Sequence, residues 1–152
     1  MDNKKLLEIT ENHTDNAIKL ILSYENFERE VSKEEIEEGL YIAIMFIGIC
    51  LDKFDYGSVD QSDFCIGFKY IYNVIKHSND PFELNYFNFA KSSIVGMGRI
   101  GQVRVGMNAA VEWSDISSGR PNQYEKFKHC LLGKEVEYSL KDILGIVKEN
   151  LI

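Results

Sequence analysis

At 152 residues, with 45% hydrophobic and 27% charged side chains, the chain is long enough to bury a substantial core without staples, and one domain over 1–152 is expected. A net charge of −7 and a pI of about 5.0 exclude non-specific binding to duplex DNA, which calls for a basic stripe. The longest apolar run, Leu40 to Leu51, has 12 residues, too few for a bilayer span of about 20, so no membrane partner is expected.

The start, MDNKKLLEIT, has no secretory apolar core. Cys50, Cys65 and Cys130 are scattered and form no CxxC pair, which reads as reduced thiols in a soluble cytoplasmic protein. Charge is uneven along the chain. Residues 1–40 hold 11 acidic and 5 basic side chains, whereas Lys69 to Lys128 holds 8 basic and 5 acidic. A basic protein partner, or a local RNA contact near the middle of the chain, is compatible with that distribution.

In chain order, residues 3–24 read as a first helix striped by Leu6, Leu7, Ala17, Ile18, Ile21 and Tyr24. Ser32-Lys33-Glu34-Glu35 has the form of a capping box and opens a second helix. From Leu40 that helix is apolar all round, with Leu40, Ile44, Ile47 and Leu51 on one side and Ile42, Phe46 and Ile49 on the other. Such a helix is expected to be central and buried on both faces. Asp60 to Asp80 reads as a third helix that turns Phe64, Gly67, Phe68, Ile71, Val74 and Ile75 towards the core, and Asp80-Pro81 ends it. Beyond Pro81 the spacing alternates at Phe87 and Phe89, and again at Val103, Val105 and Met107, as in short strands or a hairpin ending near Val111–Trp113. Pro121 starts a fourth helix, Gly133 stops it, and Val136 to Leu151 is an amphipathic last helix. The fold class expected is mainly α: an up-and-down bundle of about five helices, with a small β-hairpin insert at about 82–113 between helices three and four.

Gly96-Met97-Gly98-Arg99-Ile100-Gly101 spells GxGxxG. A dinucleotide site needs those glycines to end a strand and open a helix, and here strand-like residues follow them. A glycine-rich hairpin explains the run, and no cofactor is expected. The histidines, His13, His77 and His129, have no metal-ligand spacing with one another or with the cysteines, so no metal site is expected either. The acidic run Glu34–Glu38 is a solvated first turn.

The third helix has an unusual back. Ile66, Tyr70, Asn73 and His77 follow at i, i+4, i+7 and i+11 and form one stripe opposite the core-facing residues. Tyr72-Asn73-Val74-Ile75-Lys76-His77 resembles the signature of the HEPN superfamily, small helical proteins of prokaryotic defence, toxin–antitoxin and RNA-processing systems. In that family a helix carries an arginine, usually followed by a polar residue such as asparagine, and then a histidine. The pair faces a dimer interface, where two copies build a metal-independent ribonuclease site. The resemblance covers Asn73 and His77, their place late in the third helix, and the surrounding bundle; Tyr72 stands where the arginine would be.

In a ribonuclease of that kind His77 would take the 2′-OH proton, with Asn73 beside it. Tyr72 brings no permanent charge to the phosphorane, and Lys69, Lys76 or an arginine of the insert would have to substitute. The resemblance with that departure implies a non-catalytic HEPN-like binding protein in a bacterial or phage defence or counter-defence setting. Ile66, Lys69, Tyr70, Tyr72, Asn73 and His77 would be its binding face, covered by a second subunit in a homodimer through the third helix. Two alternatives stay open. One is an active metal-independent ribonuclease using His77; the other is an acidic immunity protein, antitoxin or inhibitor that meets a basic partner. A purely architectural reading has Asn73 and His77 tying down a neighbouring loop.

Overall fold

Apolar residues at helical spacing build the first helix, α1 (Asn3–Asn26), whose buried stripe runs through Leu6, Leu7, Thr10, Thr14, Ala17, Ile18 and Ile21. Thr10 is accommodated there because its hydroxyl donates to the Leu6 carbonyl at 2.8 Å and lies 3.3 Å from Cys50 Sγ. The structure, a computed structural model, describes residues 1–26, 30–77, 84–88, 109–116 and 120–151. The second helix, α2 (Lys33–Leu51), opens on the expected capping box. Ser32 Oγ accepts from the Glu35 N–H at 3.1 Å, and Glu35 Oε1 accepts from the Ser32 N–H at 3.4 Å. Such a cap contributes about 1 kcal/mol.

A single 3-10 turn over Tyr56–Ser58, capped by Asp55, leads into α3 (Ser62–His77). Between α3 and the next helix lie two strands, β1 (Leu84–Asn88) and β2 (Ala109–Trp113), paired antiparallel from Leu84↔Trp113 to Asn88↔Ala109. This is the expected β insert. The expected alternation at Val103, Val105 and Met107 and the glycine run at 96–106 lie outside the described residues. Then α4 (Pro121–Cys130) carries proline in its first turn, where a fixed φ and a missing N–H are harmless. After α4, Gly133 adopts a left-handed φ of 77° and turns the chain into α5 (Val136–Leu151).

Chain neighbours pack against one another, α1 on α2, α2 on α3 and α3 on α4, and α5 returns to both α1 and α2. Among the described residues the architecture is therefore mainly helical, five helices with a two-stranded ribbon between the third and fourth. Trp113 anchors the ribbon to the core by an edge-on contact with Phe68, 6.0 Å between centroids. The outer edge of β2 would expose unpaired amides, but it is closed. Trp113 N–H donates to the Lys134 carbonyl at 3.2 Å, Gly133 N–H donates to the Trp113 carbonyl at 3.0 Å, and Glu25 Oε2 accepts from the Val111 N–H at 3.1 Å. Among the described residues, no helix is long and apolar enough to cross a membrane.

One expectation about the helices is corrected. Ile44 and Ile47 of α2 are fully buried, as the sequence implies, but among the described residues the opposite face of α2 is only partly covered, at Phe46 by the His13 ring. Tyr41, Ile42 and Ile49 are 46%, 41% and 37% exposed. The helix surrounded on all sides is α3, in which every residue from Gly67 to Tyr72, and Asn73 after it, is buried. Periodicity registers apolar side chains, and it gives no sign that the polar groups on the back of α3 all find partners inside the same chain.

Candidate functional site

The back of α3 is closed by α4. Tyr70 stacks on Phe127 at 5.3 Å between centroids and lies 5.6 Å from Tyr124, and its hydroxyl donates to the Ile116 carbonyl just beyond β2. Asn73 donates from its side-chain amide to Gln123 Oε1 at 3.0 Å. The approach is made possible by Gly67: a Cβ there would lie 3.1 Å from the Lys126 carbonyl and the Phe127 amide nitrogen. The stripe expected to need a second subunit thus has its cover in cis, and the ground for placing a partner there is removed. Ile66 is half-buried, and only His77, at the end of the helix, is exposed.

Tyr72 is buried as well, with its ring against Gly48 of α2. Two ammonium groups flank that ring: Lys69 Nζ lies 4.3 Å and Lys76 Nζ 5.6 Å from its centroid. Lys69 is itself buried and pairs with Asp52 at the C-terminal end of α2. Of the six residues expected to form a binding face, Lys69, Tyr70, Tyr72 and Asn73 are therefore packed inside. Asn73 and His77 do not converge on a common open site, since Asn73 is committed to Gln123.

The other histidines are placed apart. His13 stacks on Phe46 at 5.0 Å with rings nearly parallel, and His129 is exposed on α4. Thiol chemistry is disfavoured too. Burial pushes the Cys65 thiol up to about 11 and raises Cys50, so neither is a thiolate at neutral pH.

A site the sequence did not announce lies where α1, β2 and α5 meet. Glu25, Glu112, Glu135 and Glu137 are all buried, and one carboxylate oxygen each from Glu25, Glu135 and Glu137 lie within 4.8 Å of one another. Glu112 and Glu135 are bridge partners across the β2 edge. Carboxylates so close and so dry require protons, hydrogen bonds or cations to coexist. Two such contacts are Val111 N–H on Glu25 and Lys141 Nζ on Glu137, the latter at 2.6 Å. The three oxygens have the hard-donor chemistry to hold a divalent cation. Their visible work is to join three elements. The one signal in the sequence was acid in apolar surroundings, AAVEW and KEVEY, where a solvated glutamate is out of place.

Among the described residues, the outer face of α2 groups three exposed large apolar side chains, Tyr41, Ile42 and Ile49, with Met45 and Phe46 half-buried beside them. Compared with protein-family models, with curated proteins and with solved structures, the chain matches none.

Proposed function

We propose that this chain is a non-catalytic binding protein, an HEPN-like bundle that presents the apolar face of α2 to a protein partner in a bacterial or phage defence or counter-defence setting. The observation that carries the binding reading is the exposure of Tyr41, Ile42 and Ile49 on one helix face. Single exposed apolar residues are ordinary, but a grouped set of large ones on a small protein marks a contact surface. The non-catalytic reading is supported by the fate of the motif. Tyr72 rests on Gly48, Asn73 is tied to Gln123, and neither side chain is left to act on a phosphate beside His77. The defence setting rests on the resemblance of the Tyr72–His77 segment alone. The free thiols of Cys50, Cys65 and Cys130 suit a reducing cytoplasm.

The test is incubation of the purified chain with single-stranded RNA in the presence of a chelator. No cleavage above the buffer control is expected. Cleavage that disappears in His77→Ala would replace this reading with that of a metal-independent ribonuclease.

A further inference from the structure

Glu38, Tyr41, Ile42, Met45 and Ile49 follow one side of α2, within an arc of about 100° at 3.6 residues per turn. The stripe has a direction. Its N-terminal end carries the exposed carboxylates Glu34 and Glu38, its middle is apolar, and just past its C-terminal end stands the exposed ammonium of Lys53. The Asp52 carboxylate at that same end is engaged by Lys69 rather than by Lys53.

From this pattern we infer that the occupant of the α2 face is a second copy of the chain, docked with its α2 antiparallel about a two-fold axis between Met45 and Phe46. This rests on the reading of that face as the binding surface. A two-fold axis brings the same patch to both sides and requires it to be self-complementary. With the axis in that place, Ile42 meets the partner's Ile49 and Glu38 meets the partner's Lys53. Each of these pairs occurs twice. A parallel arrangement would instead set acid against acid at one end and base against base at the other. Antiparallel packing also opposes the two helix dipoles. The rim of opposite charges around an apolar centre is the usual anatomy of a specific protein contact.

The test is sedimentation equilibrium of the full chain from about 1 to about 100 µM, a range in which a micromolar dimer passes from minor to major species. Wild type is expected to dimerise. Ile49→Lys is expected to weaken association at least about 100-fold, because a charge then enters the apolar centre twice. Lys53→Glu is expected to weaken it about 10-fold, and Glu38→Lys/Lys53→Glu to restore it, as charge pairs repeated across a two-fold axis should behave. All these side chains are exposed, so unchanged thermal melting of each variant separates lost association from lost fold. A double swap that fails to recover what Lys53→Glu loses would overturn the antiparallel pairing. A wild-type monomer throughout the range would overturn the second copy as occupant. In that event, binding of an apolar fluorescent dye that is lost in Ile42→Lys/Ile49→Lys would keep the α2 face as a surface for another protein. Absence of dye binding would sink the binding-surface reading along with it.

Discussion

Tyr72 lies flat on Gly48, with no room between ring and backbone for a methyl group. This contact locks α3 against α2, and the Lys69 and Lys76 ammonium groups lie over the ring. Gly48→Ala should therefore force the ring or the helix to shift, at a cost of about 1–3 kcal/mol, the range for overpacking a close contact. Urea denaturation of Gly48→Ala, and of Gly48→Ala combined with Tyr72→Leu, measures it. The smaller side chain should recover part of the loss. A single variant as stable as wild type would show that the two helices are not locked there.

The closure of α3 by α4 has its own signature. Tyr70→Phe removes the hydroxyl that donates to the Ile116 carbonyl and leaves the Phe127 stacking intact. A loss of about 1 kcal/mol is expected, the usual worth of one intramolecular hydrogen bond. Tyr70→Ala removes the stacking too, and about 3–5 kcal/mol should go with it, as for other large buried aromatics. Equal losses for the two variants would mean that the ring is not packed under α4.

Local signals in the sequence carried the element order well, because they depend on neighbours a few residues away. The Ser32–Glu35 capping box, the proline start of α4 and the glycine stop at Gly133 all act within one or two turns, and each is where the sequence puts it. What covers a helix depends on residues far off in sequence, and there the reading failed in opposite directions for two helices. The polar back of α3 was expected to be covered by a second subunit, but Gln123, Tyr124 and Ile116 of the same chain satisfy it. The apolar back of α2 looked buried, but no element among the described residues covers Tyr41, Ile42 and Ile49. The spacing of Tyr124 and Phe127, one turn apart on α4, was the available hint that an aromatic face was waiting for Tyr70.

From the end of α1, Glu25 does for the β2 edge what a neighbouring strand would do, accepting the Val111 N–H at 3.1 Å. Glu25→Ala would strand that buried amide and should destabilise by about 1–3 kcal/mol. Glu25→Gln keeps an acceptor and removes a negative charge from the group shared with Glu135 and Glu137, so it should be the milder change. The comparison separates hydrogen bonding from charge. If Glu25→Gln costs as much as Glu25→Ala in denaturation, the carboxylate charge is what the joint requires.

The Asp115 carboxylate accepts from the Tyr124 hydroxyl at 2.7 Å and holds that phenol at about 12, above the ordinary tyrosine value of 10.0. The neutral phenol is the form the folded state favours. Its stabilisation is thus complete below pH 10 and is lost as pH rises through about 12. Titration of phenolate absorbance should show a late-ionising tyrosine that returns towards the ordinary range in Asp115→Asn, while Tyr24 and Tyr56, raised by burial, are unaffected. An unchanged titration in that variant would refute the pairing.

The contact surface proposed for this protein is the outer face of α2 and not α3. Sedimentation of Ile49→Lys and His77→Ala, run side by side with wild type at the same concentrations, sets the two faces against each other. Ile49→Lys is expected to lose association while His77→Ala keeps wild-type affinity. Loss of association in His77→Ala with Ile49→Lys unaffected would contradict it and return the interface to α3.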